Sequence, residues 1–379
     1  MVDAPTKAVA DVRDLEIVVQ RADEQACADY RSFASPRVTG AAQTPLWYET
    51  WLKASNEPGH IVWLLDKGHP VAALPLVEVR RSGLSVLQFA GGNHANGNFC
   101  PCISPDLHIS AEILASGIKS AVPHVTVLSL ERQHSKLAGQ TNFLSALTTR
   151  SSPNIALAAS LEGGFTGLLE RANGKKKAKK RRMQLRRFEE AGGEDLRTAA
   201  TPAEIDKILG AFIRMKRARF EKAGIPDVFA EPCVKEFWRS LFTASLDDPA
   251  HPFTLEALFV GGTPRAITGS SLLADRSICE FGAIEDDDLT STSPGEFVAY
   301  ANIEAACAKG LRFYDFSVGD EAYKRSWCDT EIIHFDVIAP LSAMGRLAVA
   351  GSNLLAGAKQ KVKANPQLLG AVKALRRFR

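Results

Sequence analysis

The residues best equipped for chemistry lie between positions 277 and 327. Here a strand leads through a polar loop to Ser293-Pro294-Gly295-Glu296 and a helix. A second strand follows, then Gly319-Asp320-Glu321-Ala322-Tyr323-Lys324-Arg325-Ser326-Trp327. Proline and glycine opening a helix leave its first backbone N–H groups free and aimed outward, an anion site suited to a pyrophosphate. A well-capped helix is the plain alternative. Glu280, on the strand before that loop, stands between Ile278 and Phe281. A carboxylate partly buried there has a raised pKa and suits a general base for an amine or hydroxyl; a solvent-facing glutamate is the other choice. Asp315, between Tyr314 and Phe316, poses the same question. Tyr323 can protonate a leaving thiolate, and Lys324 and Arg325 can hold phosphate or stabilise an oxyanion. Surface ion pairs around Trp327 as a core anchor would leave the same pattern.

The elements that must position these groups follow from turn and periodicity signals. In the first half a strand at 15–19 and a helix at 23–34 precede a helix opening at Thr44-Pro45, with Thr44 as N-cap and Trp47 and Trp51 on one face. Strands at 61–65, 71–80 and 85–89 are separated by Lys67-Gly68 and Ser82-Gly83, which makes an antiparallel meander. A helix near 110–120 and a strand at 125–130 complete the half. The second half reads as a repeat. A strand at 155–161 opens it, and a basic helix ends at Gly192-Gly193. Helices at 202–224 and 233–245 follow, then strands at 254–260, 265–273 and 277–284, a helix at 296–309 and a closing strand at 313–318. The shared element order implies a structural duplication.

Composition bounds the class. The chain has 379 residues, 45% hydrophobic and 23% charged, which suits two domains of roughly 150–200 residues. No stretch approaches the ~20 apolar residues of a membrane-spanning helix. The opening MVDAPTKAVADVRD has early acids and no apolar core, so a secretory signal is not expected and a cytoplasmic protein is. Seven scattered cysteines argue against a disulfide framework. Cys100 and Cys102, with His94 and His108 nearby, lack a second close pair and are expected to be ordinary thiols rather than zinc ligands. The net charge of +3 is uneven: nine of the thirteen residues 175–187 are basic, and no acid follows Asp336. The basic run lacks interleaved aromatics, so a solvated helix face is expected ahead of nucleic-acid contact. The basic, leucine-bearing tail 341–379 is expected to pack on its own domain or to touch an anionic membrane.

Ser293-Pro294-Gly295, then a helix, then Tyr314-Asp315-Phe316-Ser317, Gly319-Asp320-Glu321, Tyr323-Lys324-Arg325 and Trp327 resemble the GNAT acetyltransferase-like family described as CelD-like, or cellulose-biosynthesis, acetyltransferases. The arginine-rich helix before Gly192-Gly193, the helix holding Lys216-Arg217-Ala218-Arg219-Phe220, and strand 71–80 extend the resemblance over about residues 15–340. Such proteins are similar in fold to the Fem peptidyl transferases, tandem GNAT domains that use aminoacyl-tRNA and carry an aromatic–Lys pair where this chain has Tyr323-Lys324.

The resemblance implies an α/β (α+β) fold of tandem GNAT-like domains, each a mixed, mostly antiparallel sheet flanked by helices. The domains would span 1–150 and 151–340, with the helical tail at 341–379. It implies acyl transfer from acetyl-CoA or another acyl-CoA to a sugar, glycolipid or amine in exopolysaccharide or envelope synthesis, with no metal. Glu280 or Asp315 would be the base, Tyr323 the acid and Lys324 with Arg325 the anion clamp. Ser293, Pro294, Gly295, Glu296 and Arg325 would hold the donor. One departure bears on that donor: no Gln/Arg-x-x-Gly-x-Gly/Ala loop follows Ile284, and Ser293-Pro294-Gly295 takes its place. Acyl-CoA, an acyl carrier protein and aminoacyl-tRNA therefore all remain candidates. A non-catalytic, degenerate GNAT pair is the competing class.

Overall fold

Thr44 accepts a hydrogen bond from the Trp47 amide and Pro45 opens the helix behind it, so the N-terminal signals read from sequence act as expected. The computed structural model describes residues 15–351. Its first half runs β1 (Glu16–Arg21), α1 (Glu24–Ala34), α2 (Pro45–Ser55), β2 (Gly59–Asp66), β3 (His69–Arg81), β4 (Leu84–Phe89), α3 (Ala111–Ala121) and β5 (Val127–Gln133). Lys67-Gly68 and Ser82-Gly83 turn the meander with positive φ at both residues, 51° and 78°, then 49° and 81°. That is the twist a two-residue hairpin demands. A small hairpin, β6 (Lys136–Leu137) with β7 (Gln140–Thr141), and the short β8 (Arg150–Ser151) lead out of this half.

The second half begins with β9 (Ala156–Ser160), α4 (Gly164–Arg171) and the basic α5 (Gly174–Glu190). Then come β10 (Glu194–Thr198), α6 (Pro202–Ala223), α7 (Pro232–Leu246), β11 (Phe253–Val260), β12 (Thr263–Leu272) and β13 (Arg276–Ile284). The chain continues through α8 (Pro294–Ala308), β14 (Phe313–Val318), α9 (Ala322–Arg325), β15 (Thr330–Ile332) and β16 (Phe335–Pro340). A helix over 343–351 follows, seated where Gly345 meets the Thr126 carbonyl. The remaining tail positions, 352–379, and residues 1–14 lie outside the described residues, so the membrane expectation for the tail falls there.

Two seven-stranded sheets result, in the orders β1-β2-β3-β4-β5-β16-β8 and β10-β11-β12-β13-β14-β9-β15. Both are mostly antiparallel and flanked by helices, as the tandem expectation has it. The orders also correct the sequence reading of the repeat. The strand at 155–161 is not the counterpart of β1: β9 lies inside the sheet, between β14 and β15. The true counterpart, β10, is a polar edge strand of sequence EDLRT with no buried residue, so it carries no alternating apolar signal. Nor does β14 close the molecule. β16, which the reading leaves within 151–340, hydrogen-bonds to β5 of the first sheet, Val337 opposite Leu130. The first sheet thus takes its sixth strand, β16, from the other half of the chain, whereas the second sheet takes its sixth, β9, from its own half.

Aromatic packing welds the halves as well. Trp47 of α2 is fully buried, its ring 4.9 Å from Phe237 and 5.2 Å from Trp238 of α7. One apolar cluster runs from Tyr30 and Trp63 through these rings to Phe212 and Phe281. Truncating such a side chain costs about 3–5 kcal/mol.

Candidate active site

β13 and β14 run parallel and pair only at Arg276, Ser277 and Ile278 with Phe313, Tyr314 and Asp315; beyond that they part. Two irregularities accompany the parting. The β12–β13 register shifts between Gly269 and Ser270, and Ser317 in β14 takes a left-handed φ of 59°. Bulges of this kind re-aim side chains and are concentrated at functional sites.

Glu280 lies two residues beyond Ile278, the last residue paired with β14, and its carboxyl is buried rather than solvent-facing. Oε1 accepts a 2.6 Å hydrogen bond from the Ser271 hydroxyl, while Oε2 has no partner. Burial, reinforced by the Asp315 charge and opposed by the Ser271 bond, pushes its pKa up to about 8. Asp315 is differently placed. One oxygen accepts the Ser317 amide at 2.7 Å and the other lies 3.5 Å from Arg276 Nη1, so it holds the β14 irregularity in place. Burial raises its pKa against the pull of Arg276.

Lys324 is 5% exposed, with Nζ 3.0 Å from the Val318 carbonyl and 2.9 Å from Glu321 Oε2. Tyr323 is 41% exposed, and burial of its hydroxyl together with Cys279 and Glu321 raises its pKa, so the phenol stays protonated. Lys216 of α6, which the sequence shows only as part of a basic stretch, belongs to the same group. Burial and the Arg219 charge bring its pKa down to about 8, and Cys279, Glu321 and Lys324 are among its electrostatic neighbours. Ser271 is the other partner that sequence did not mark. Its signal would have been a hydroxyl directly across the strand pair from the acid's neighbourhood, which only the β12–β13 register reveals.

The donor candidates lie at the start of α8. No side chain caps this helix, and Ser293 stands in the left-handed region at φ 61°. Gln184 of α5 donates to the Thr292 and Ser293 carbonyls at 2.9 Å. Lys180 reaches Ser293 Oγ at 3.1 Å and Glu296 Oε2 at 2.7 Å, and Arg181 stacks on Phe297. Lys177 lies 3.6 Å over the Trp327 ring. The basic helix therefore borders both the α8 start and the loop after β14. Arg325 stands apart on the surface, paired with Asp320 and Glu331, whose carboxylates raise its pKa.

The first half has the same parting, between β4 and β5, and Arg132 there repeats the left-handed φ at 54°. The Arg132 guanidinium donates to the Gly92 and Asn93 carbonyls and to Asn96, at 2.8, 3.0 and 3.2 Å. The loop that would border a donor in this half is thus tied to the chain's own arginine. Cys100 and Cys102 pack in the core of the first sheet.

Residues 175–325 match the family described as acetyltransferase (GNAT) domain. Among solved structures the chain is similar to FemX, with a TM-score of 0.56 and 12% identity over 85% of this chain and 97% of that one. It is similar also to a conserved protein of unknown function from Bacteroides thetaiotaomicron, with a TM-score of 0.51 and 12% identity over 86% of this chain and 100% of the other. A tandem GNAT protein from the clavulanic acid biosynthesis pathway gives a TM-score of 0.47 at 12% identity, over 86% and 99% of the two chains. At such identities the likeness is one of fold. No curated protein matches the chain in sequence. The second half therefore has a GNAT-type acyltransferase fold. Among the described residues no helix is long and apolar enough to cross a membrane.

Proposed function

We propose that the chain transfers an acyl group from a thioester donor to the amine or hydroxyl of a sugar or glycolipid acceptor, with its chemistry where β13 and β14 part. The observation that carries this reading is Glu280: a buried carboxyl with one oxygen unpartnered and a pKa of about 8. That is the value a general base needs near neutral pH. In the reaction the acceptor N–H or O–H gives its proton to Glu280 as the nucleophile bonds to the thioester carbonyl carbon. The oxyanion that forms is balanced by the Lys324 ammonium, with Lys216 beside it. The C–S bond then breaks, and the departing thiolate takes the Tyr323 proton, which solvent replaces. Donor phosphates would lie at Ser293, Pro294, Gly295 and Glu296, with Arg325 further out. The sugar or glycolipid acceptor, envelope or exopolysaccharide synthesis, and a cytoplasmic setting rest on the resemblance carried by residues 293–327.

The test is thiol release from acetyl- and longer acyl-CoA with candidate amino sugars. Lys324→Ala is expected to lower turnover roughly 100- to 1,000-fold, the usual loss when one oxyanion partner goes. Full activity in a folded Lys324→Ala variant would return this lysine to a structural ion pair.

A further inference from the structure

The outward face of α5 is not used by the site described above. Lys175, Lys179, Arg182 and Arg186 recur at i, i+4, i+7 and i+11, so they form one stripe about 16 Å long. All four are exposed. Only Arg186 has an acidic neighbour, Glu190 at 3.8 Å, and Lys175, Lys179 and Arg182 make no ion pair among the described residues. Met183 and Leu185, each 36% exposed, flank the stripe. The opposite face of α5 is fixed: Gln184 and Phe188 are buried, and Gln184 bonds the loop that opens α8. A cationic row with apolar flanks is therefore held rigidly against the start of α8. The loop leading from β13 toward α8 opens with the acidic run Glu285-Asp286-Asp287-Asp288, with the Asp288 side chain 83% exposed, so the cationic row of α5 stands out from acidic surroundings.

We propose that this face docks an acidic, helical carrier protein that presents the acyl thioester to the site, a proposal that rests on the thioester reading above. Opposite charge along one helix gives the register, and Met183 and Leu185 supply the apolar contact beside it. A membrane surface fits less well, because the apolar stripe of α5, with Phe188, is turned inward and cannot enter the acyl-chain boundary. A nucleic acid fits less well, because the outward face offers no aromatic ring for stacking.

The test uses the full-length protein with a purified acyl carrier protein, in apo and acylated forms, at low and at physiological salt. Wild type is expected to bind the carrier more weakly as salt rises. The variant Lys175→Glu/Lys179→Glu/Arg182→Glu is expected to lose at least tenfold in affinity, with an unchanged melting temperature. Its transfer from the acylated carrier should fall in step, while turnover with acyl-CoA stays as in wild type. Absence of carrier binding by wild type, or equal affinity in the variant, overturns the docking role. So does tighter binding to an RNA duplex or to phosphatidylglycerol vesicles in the same assay. Carrier binding is read without turnover, so carrier binding with no transfer from any donor would overturn the acyltransferase reading and leave the docking face intact.

Discussion

A carboxyl group with a pKa of about 8 is only about a tenth ionised at pH 7, so in the proposed role of base Glu280 would be in short supply under ordinary conditions. Acyl transfer is then expected to quicken about tenfold per pH unit below 8 and to level off above it, as a kcat/KM profile would show. Glu280→Gln should abolish both the rate and the rise. The same residue sets a stability trend of opposite use. Its folded pKa lies above the ordinary glutamate value of 4.5, so folding favours the protonated form. Stability is full below about pH 4.5 and declines as the pH climbs toward 8. Glu280→Gln should flatten that decline while destroying activity, a pairing that a surface glutamate would not produce. Denaturant melts at pH 5 and pH 9 measure it. The sequence offered Glu280 because its neighbours are apolar, and that much was legible. It did not offer the difference between Glu280 and Asp315. That difference depends on Arg276 lying beside one carboxylate and not beside the other, which is a matter of register.

Among the elements, the meanders and α2 were readable because turn chemistry and apolar spacing agreed at every step. Of the strands of five residues or more, two were not. β10 is too polar, and the sequence of β16, FDVIAP, would suit either sheet. The start of α8 was readable as a helix N-terminus, but the partners that α5 sends to it were not. A side chain at position 295 would place its Cβ 3.0 Å from Ile284 Cγ2, so Gly295→Trp must push outward into the region assigned to donor phosphates. Donor affinity measured by calorimetry is expected to fall at least tenfold in the folded variant, and unchanged affinity would end that assignment. Just past the end of β5 and just before β16, His134 and His334 meet with ring centres 4.7 Å apart. Arg132, Arg276 and Asp336 face them. Burial pushes His334 down to about 4 and His134 well below its usual value. Both histidines bind protons more readily unfolded, so the stability present above about pH 6.5 is lost as the pH falls toward 4. His334 alone accounts for about 3 kcal/mol. Urea melts at pH 7 and pH 4.5 should show this loss, and His334→Phe should reduce it. Equal acid sensitivity in both proteins would place its origin elsewhere.

At the scale of the whole molecule, the crossing of β16 into the first sheet and the Trp47–Trp238 seam join the two halves. A chain ending after Ile332 lacks β16 and so deprives β5 of a hydrogen-bonding neighbour in the first sheet. Hydrogen exchange in that shortened chain is expected to show lost protection at Leu128 and Leu130. Retained protection would mean the first sheet closes without its sixth strand.

The crossing of β16 also puts a clock on synthesis. Leu130 waits for Val337, about two hundred residues later. At translation speeds of roughly 5–20 residues per second, that is on the order of ten to forty seconds. Throughout that wait β5 presents an open edge to solvent or to a chaperone. The β16 of a neighbouring nascent chain would fit that edge with the same register, so two polypeptides made side by side carry the means to complete each other's sheets.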